Sequence, residues 1–188
     1  MTLTTIDPAA ALVVVDLQKG IVSAAADGPA TAVVARAARL AAEFRRHGLP
    51  VVLVNVTGRA PGRTEAVRHG SGAAPPPGWA DLVDELDVRP SDHLVTKRRR
   101  SAFHDTGLDT LLRDLGVTQI VLAGISTSSG VESTARSASD HGYHVVLATD
   151  AMSDPDADSH RHSVERVFPK LGETATTAEV VDMVGATR

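Results

Sequence analysis

The sequence predicts a three-layer α/β fold, in which a doubly wound, mainly parallel sheet is flanked by helices. Five short apolar runs are rich in β-branched residues and are continuous rather than alternating, which indicates strands buried on both faces. Segments with helical spacing of apolar residues separate these runs, and such alternation is typical of a helix-covered parallel sheet. At 188 residues, the chain is predicted to form a single domain spanning residues 1–188.

The strands are predicted from β-branched composition and from the turn signals between them. In chain order, the five runs are ALVVVDL (11–17), LPVVLVNV (49–56), HLVTK (93–97), TQIVLAGI (118–125) and YHVVLATD (143–150). TATT (174–177) follows as a candidate last edge strand. Because the carboxyl ends of parallel strands meet at one edge of a sheet, we expect the functional loops to gather at that edge.

Helices are predicted between the strands from apolar residues at helical spacing. The patterns cover residues 32–47, 107–115, 130–141 and 156–168. The first ends before Gly48 and the last is closed by Pro169, since Gly and Pro are common stop signals. The stretch 57–78, TGRAPGRTEAVRHGSGAAPPPG, predicts a long loop of the kind that is usually functional or mobile.

The composition is that of an ordinary globular protein, with 43% hydrophobic and 22% charged residues. The net charge of -4 gives no electrostatic reason to expect nucleic acid or an anionic membrane as a partner. The chain has no Cys, which excludes disulfides and thiolate metal sites and fits a reducing compartment. No long apolar run and no signal segment is found, so we expect a soluble protein of the cytoplasm.

Two charged residues stand at predicted strand ends. Asp16 follows the apolar VVV of the first strand, where partial burial is expected to raise its pKa and suit it to general acid or base catalysis. Lys97 ends the third strand and is a candidate to hold Asp16 ionised, to bind an anionic substrate or to stabilise a developing oxyanion. The structural alternatives are a turn cap for Asp16 and a solvated surface position for Lys97, which precedes three arginines.

A turn at 125–130 connects the fourth strand to a helix. Backbone N–H groups at a helix start are unpaired and can hold an oxyanion or a carboxylate, which makes Ser126, Thr127 and Ser129 candidate binding residues. Thr127, Ser128 and Ser129 are equally suited to cap the helix. A serine nucleophile would need a general base, and no G-x-S-x-G motif is present.

No metal or cofactor is predicted. The eight histidines form neither H-E-x-x-H nor another pattern with metal-ligand spacing.

Three segments together resemble the isochorismatase-like hydrolase superfamily: Asp16 in VVVDLQKGIV, Lys97 in VTKRRRSAF, and LAGISTSSGVESTARSASDHGYHVVLATDAMSD (122–154). The resemblance covers almost the whole chain. It implies a parallel sheet flanked by helices, assembled as a homodimer or homotetramer. It also implies a cis peptide bond between Ile125 and Ser126, and an oxyanion hole formed by the N–H groups of Ser126 and Gly130.

The resemblance assigns catalytic positions to Asp16, Lys97 and Gly130. Most members of the superfamily are cysteine amidohydrolases, and their nucleophilic Cys aligns with Gly130. The true isochorismatases carry the same substitution and cleave a vinyl ether without a covalent nucleophile. In them the Asp protonates the methylene carbon, and water captures the oxocarbenium centre that results.

The substrate-binding residues are less sharply defined. Nicotinamidases carry an Asp/His metal cluster after the second strand, whereas this chain has NVTGRAPGR, so neither that activity nor a bound metal is expected. Arg59 and Arg63 are candidate anion contacts, or solvated loop charges. Trp79 and Phe103 are candidates to line the cleft, or to pack in the core or a lid.

The resulting expectation is a hydrolase that acts on a small polar, anionic molecule by Asp acid/base chemistry, without a Cys intermediate. Two alternatives stay open at this point. The chain is either a catalytically inactive homologue that binds small molecules in the same cleft, or an amidase or esterase that uses Ser128 or Ser129.

Overall fold

A six-stranded parallel sheet forms the centre of the molecule. The computed structural model of the chain describes residues 3–25, 29–58, 62, 65 and 75–186. The strands β1 to β6 are Ala10–Val15, Val51–Val56, His93–Lys97, Gln119–Ile125, His144–Ser153 and Glu173–Ala175. They lie in the order β3-β2-β1-β4-β5-β6, and every neighbouring pair is parallel. The predicted fold class is therefore confirmed.

Helices cover both faces of this sheet. The helices α1 to α6 are Lys19–Ala24, Ala30–Arg46, Leu108–Asp114, Glu132–Asp140, Ala157–His162 and Thr177–Ala186. Helices α2 and α6 pack on one face, whereas α3 and α4 pack on the other. The two helical layers and the sheet make the three predicted layers.

Strand β1 shows why a continuous apolar run was the right strand signal. Ala10, Leu12 and Val14 belong to the core cluster on the α2 side. The intervening residues of β1 belong to the cluster on the α3 and α4 side, and the whole strand is buried. A strand buried on both faces has no polar positions to alternate with, so its sequence is apolar throughout.

The last predicted strand is shorter than expected, because a helix begins within it. Strand β6 ends at Ala175, and α6 starts at Thr177. Thr176 Oγ1 accepts from the Glu179 N–H (3.2 Å), and the Glu179 carboxylate accepts from the Thr176 N–H (2.7 Å), which is a capping box. The assignment of Thr176 and Thr177 to a strand was therefore wrong.

The remaining helical segments differ from the predicted ones mainly at their ends. The predicted helix 130–141 starts earlier, as a π-helical turn over Thr127–Val131 that leads into α4. The predicted helix 156–168 continues beyond α5 through a π-helical turn and a final 3-10 turn, Phe168–Lys170. Pro169 lies inside that final turn rather than after it, since the first turn of a helix tolerates proline. Helix α1 and a 3-10 turn at Asp84–Leu86 were not predicted.

Gly124 allows β4 to run close beside the end of β1. It has a φ of +125°, and a Cβ added there would lie 2.0 Å from the Val15 carbonyl oxygen. The register between β4 and β5 also shifts at this point, between Leu122 and Gly124. Only glycine fits both the conformation and the space, so β4 delivers its following turn directly beside the residue after Val15.

The strand order places a crevice between β1 and β4. Strand β1 leads to β2 on one side of the sheet, whereas β4 leads to β5 on the other. The two connections diverge at the carboxyl ends of these central strands, which is where open α/β sheets bind their ligands. Asp16 follows β1 and the 126–130 turn follows β4, so both lie at this switch point.

Candidate active site

Asp16 and Lys97 form a buried ion pair at the carboxyl edge of the sheet. The Lys97 ammonium donates to Asp16 Oδ2 over 2.7 Å. Asp16 is 5% exposed and Lys97 is 2% exposed. Because β2 lies between β1 and β3, the long lysine side chain has to cross the end of β2 to reach the carboxylate. The two residues predicted at equivalent strand ends are therefore brought together.

The backbone of Asp16 adopts an unusual conformation. Its φ is +55°, in the left-handed region that Asp tolerates better than most residues with a side chain. The Asp16 N–H donates to the Val54 carbonyl over 2.9 Å, which fixes the turn to the neighbouring strand. Such conformations cost free energy and cluster at functional sites, so this one supports a functional role for Asp16.

Burial dominates the electrostatics of Asp16. Loss of hydration raises the pKa of its carboxyl group to about 6, and the attraction and hydrogen bond of Lys97 offset only part of that effect. Asp16 Oδ1 is buried and has no hydrogen-bond partner among the residues that the structure describes. One carboxylate oxygen is thus held by Lys97, and the other is available to a proton or a ligand.

Lys97 has donor capacity beyond its contact with Asp16. Its ammonium also donates to the Arg99 carbonyl over 3.2 Å, and an ammonium carries three donors in all. Of the adjoining arginines, Arg98 and Arg100 are exposed and Arg99 is half-buried. The arginines therefore fit, in part, the alternative that this run is solvated, whereas Lys97 itself is buried.

Gly130 lies directly against this ion pair. A Cβ added to Gly130 would lie 3.2 Å from Asp16 Oδ2 and 3.1 Å from Val15 Cγ1. Gly130 is buried, and it is not among the glycines with positive φ. Its backbone conformation would therefore accept a residue with a side chain, and what glycine provides here is space beside the carboxylate.

The 126–130 turn begins with a cis peptide bond between Ile125 and Ser126, which confirms that expectation. The Ser126 carbonyl accepts from the N–H groups of Ser129 (3.2 Å) and Val131 (3.1 Å). Within the ranges that the structure describes, the Ser126 N–H donates to no protein acceptor. A half-buried, unpaired N–H is what an oxyanion site needs, so Ser126 remains a candidate.

The next two residues of the turn have side-chain partners that sequence reasoning missed. The hydroxyl of buried Thr127 is hydrogen-bonded to His160 Nδ1 (2.8 Å). Asp154 Oδ2 accepts from both the backbone N–H (2.8 Å) and the hydroxyl (2.7 Å) of Ser128. Asp154 follows β5 directly, so the reasoning that singled out Asp16 after β1 would also have found it.

Trp79 packs beside the turn that contains Asp16. A Cβ added to Gly20 would lie 1.9 Å from the Trp79 ring, so the half-buried indole covers this glycine. The side-chain amide of buried Gln18, a second residue that was not predicted, donates to the carbonyls of Val56 (3.2 Å) and Trp79 (3.3 Å). Trp79 is therefore held close to the edge of the sheet where Asp16 lies.

Phe103 packs against other rings rather than beside the ion pair. The Phe103 ring stacks on His141, with ring centroids 5.1 Å apart, and lies 5.9 Å from Tyr143. Both partners precede β5, at the amino edge of the sheet, so these contacts fit the packing alternative for Phe103. Arg59 and Arg63 lie outside the described residues.

A cavity of about 600 Å³ lies beside the turn rather than over the ion pair. Its lining includes Ile125, Met152, Ser153, Asp154 and His160, but neither Asp16 nor Lys97. This cavity is therefore offset from the ion pair, across the end of β4. We take the ion pair as the candidate active site, because it combines charge, burial and an unpaired carboxylate oxygen.

Among the residues that the structure describes, no group of three or more His, Asp or Glu side chains is arranged to hold a metal ion. No helix in the described part of the chain is both long and apolar enough to cross a membrane.

The known proteins similar to this chain include members of the isochorismatase family. The isochorismatase domain matches residues 10–179. YwoC, an uncharacterized isochorismatase family protein of Bacillus subtilis, is 42% identical over 180 residues, which cover 93% of this chain and 93% of YwoC. Streptothricin hydrolase of Streptomyces noursei is 38% identical over 142 residues, which cover 75% of this chain and 48% of that protein. The structure of an isochorismatase family protein from Burkholderia thailandensis is 38% identical with a TM-score of 0.82, covering 96% of this chain and 98% of that one.

Proposed function

The chain belongs to the isochorismatase family of hydrolases, and on that premise we propose that it hydrolyses a small polar, anionic molecule without a covalent intermediate. Asp16 is the general acid and base, Lys97 is its electrostatic partner, and the amides of the 126–130 turn bind a substrate oxygen. The observation that carries the proposal is the buried Asp16–Lys97 pair with glycine, rather than a nucleophile, beside it.

The acid role is supported by the state of Asp16. With its pKa raised to about 6, roughly a tenth of the carboxyl groups are protonated at neutral pH. Oδ1 has room for that proton, because Oδ2 is occupied by Lys97. A general acid works best when its pKa lies near the working pH, and this carboxyl group meets that condition.

The simplest reaction that these groups support is the hydrolysis of a vinyl ether. Asp16 transfers its proton to the methylene carbon, and the positive charge that develops is spread over the ether carbon and oxygen. Water adds to that centre and gives up a proton to the carboxylate, so Asp16 regains its starting state and a hemiketal is formed. The C–O bond to the former ether oxygen then breaks as the hemiketal hydroxyl proton moves to that oxygen, and the products are a carbonyl compound and an alcohol. Lys97 and the turn amides bind the anionic parts of the substrate.

The absence of a covalent intermediate is supported by the residues around Asp16. The chain has no Cys, and the position against the carboxylate is Gly130. The Ser128 hydroxyl donates a hydrogen bond to Asp154. This contact is exposed, and an exposed carboxylate is a weak base for activating serine. This contact disfavours nucleophilic catalysis by Ser128.

The test is to assay carboxylate-bearing vinyl ethers, amides and esters with the wild type and with Asp16→Asn. We expect turnover of a vinyl ether, and a fall in kcat/KM of about 100-fold or more in the variant, because general acid catalysis is lost. Asp114→Asn, on the exposed end of α3, is the matched control and should keep wild-type activity. Undiminished turnover by Asp16→Asn would remove Asp16 from the mechanism.

Mass spectrometry of the acid-quenched reaction tests the second half of the proposal. We expect the intact chain mass alone at every time point, because no covalent adduct forms. An adduct on Ser128 or Ser129 would instead identify a serine hydrolase. If no probe is turned over even at high enzyme concentration, the binding homologue becomes the better description.

A further inference from the structure

The segment formed by the end of β5 and α5 holds the turn that lies against the active site. Asp154 follows β5, whose Ser153 pairs in register with Ile125 of β4. The Asp154 carboxylate therefore reaches the turn immediately after β4, where Oδ2 accepts both the N–H and the hydroxyl of Ser128. Two donors of one residue on one charged oxygen fix both the backbone and the side chain of Ser128.

His160 provides a second contact, one residue earlier in the turn. Its Nδ1 lies 2.8 Å from the hydroxyl oxygen of Thr127, which is fully buried. Loss of this hydrogen bond would leave a buried hydroxyl without its partner, which is costly. Asp154 and His160 thus satisfy consecutive residues of the same turn from the same neighbouring segment.

The turn depends on these outside contacts because its own backbone hydrogen bonds follow the π-helical pattern instead of the α-helical one. The Val131 N–H donates to the Ser126 carbonyl, five residues back, as in a π-helix. Single π-helical turns are rare and occur mostly at functional sites, where tertiary contacts have to stabilise them. A turn of this kind would relax toward ordinary α-helix if its external partners were removed.

The position of the turn matters because Gly130 lies against Asp16. A Cβ on Gly130 would be 3.2 Å from Asp16 Oδ2, so the backbone of the turn forms part of the wall that buries the carboxylate. A shift of the turn would therefore admit water to that carboxylate. Displacements of about 1 Å at such sites are known to cost large factors in rate.

We infer that Asp154 and His160 are positioning residues, which hold the 126–130 turn in the shape that keeps Gly130 against Asp16. Neither side chain needs to touch the substrate in this role. The inference rests on the proposed function only for its kinetic consequence, since the shape of the turn can be measured without any substrate.

The first experiment measures the turn directly by NMR. In Asp154→Ala and in His160→Ala, we expect the amide resonance of Gly130 to shift and the carboxyl pKa of Asp16 to fall toward its ordinary value, by about half a unit or more, as water reaches it. His160→Asn should restore most of both readouts, because its amide can take the place of Nδ1 against the Thr127 hydroxyl.

The matched control is Asp156→Ala. The Asp156 side chain caps α5 by accepting from the Asp158 N–H (3.1 Å) and the Ser159 hydroxyl (2.7 Å), without contact to the turn. The substitution Asp156→Ala therefore loosens the same helix but keeps the contacts of Asp154 and His160 with the turn. It should leave the Gly130 resonance and the Asp16 pKa at their wild-type values. Equal changes in this control, or unchanged readouts in Asp154→Ala, would overturn the inference.

The second experiment is kinetic and uses the vinyl ether that the wild type turns over. We expect kcat to fall about tenfold or more in Asp154→Ala, with KM changed less than about twofold, and partial recovery of kcat in His160→Asn relative to His160→Ala. A change confined to KM would assign Asp154 to substrate binding and would contradict a positioning role. If the wild type turns over no probe, the proposed function fails, whereas the NMR result still decides this inference.

Discussion

At the scale of single residues, Asp16 combines features that rarely occur together. It is buried, it is paired through one oxygen only, and its backbone lies in the left-handed region. Its place after an apolar run predicted the burial and the raised pKa. The sequence could not predict that Oδ1 lacks a hydrogen-bond partner, because this depends on which donors surround the carboxylate in the folded protein.

The pKa of Asp16 gives the first prediction. A ¹³C NMR titration of its carboxyl group should have a midpoint of about 6 in the wild type. The midpoint should be higher in Lys97→Met, because the cation that favours the ionised carboxylate is removed. If Asp16 is the general acid, kcat/KM should be constant below about pH 6 and fall about tenfold per pH unit above it.

The same shift has a consequence for stability. Since the pKa of Asp16 is raised from 3.8 to about 6 on folding, the folded state binds its proton more tightly than the unfolded state does. The stabilisation from this group is therefore complete below about pH 4 and is lost as the pH rises through about 6. A midpoint below 4 in the titration would contradict both expectations.

Gly130 gives the second prediction. Gly130→Cys should fold, because φ is not positive there and the two closest atoms need to move by only a few tenths of an ångström. The new thiol would lie beside Asp16, which can act as its base, so we expect gain of amidase activity toward a simple anilide together with labelling by iodoacetamide. Gly130→Ala controls for bulk and should show neither. If the Gly130→Cys variant folds but is not labelled, the residues around position 130 do not support a thiol nucleophile and the prediction is contradicted.

At the scale of elements, the sequence predicted the strands and helices that have a regular apolar pattern, and it missed helices whose pattern is short or ambiguous. The five apolar runs all became strands. Strands β1 and β4 are buried on both faces, as predicted. That prediction was wrong for β3, an edge strand whose Leu94 and Thr96 are exposed. Helix α1 spans six residues and has no buried residue, so it carried no periodic signal. Helix α6 was missed for another reason, since the T-x-x-E capping box of Thr176 and Glu179 was present but the β-branched threonines favoured a strand.

Gly124 gives the prediction at this scale. Gly124→Ala should lower the free energy of unfolding by about 3 kcal/mol or more, because the new Cβ meets a backbone carbonyl and φ is positive. Gly185→Ala in α6 is the matched control, with no atom within 4 Å of the added Cβ, and should be neutral or stabilising by up to about 1 kcal/mol. Urea denaturation measures both. Equal stability of the two variants would mean that β4 can shift away from β1.

At the scale of the whole molecule, the sheet explains how much of the site was predictable. Parallel strands bring their carboxyl ends to one edge, so the sequence alone predicts that Asp16 and Lys97 meet. For Phe103 the sequence left cleft lining and packing open, and its contacts with His141 and Tyr143 favour packing. The offset between the ion pair and the 600 Å³ cavity depends on tertiary packing alone.

Assembly gives the prediction at this scale. We expect a homodimer or homotetramer, and β3 is an edge strand whose Leu94 is 65% exposed. Exposed apolar edge strands tend to be covered by another chain. Sedimentation velocity should therefore show a dimer or tetramer for the wild type and weaker association for Leu94→Lys. Leu115→Lys, at a 41% exposed site after α3, is the control. A wild type that sediments as a monomer would contradict this expectation.

The unpartnered Oδ1 of Asp16 also offers a practical route to the natural substrate. A buried acceptor without a donor destabilises the empty protein, and any compound that supplies the missing donor relieves that cost when it binds. Fragments with a hydroxyl or primary amide should therefore raise the melting temperature more than their O-methylated or N,N-dimethylated counterparts, which have no donor. Pairs of free and methylated fragments would then define the functional groups of the substrate before its reaction is known.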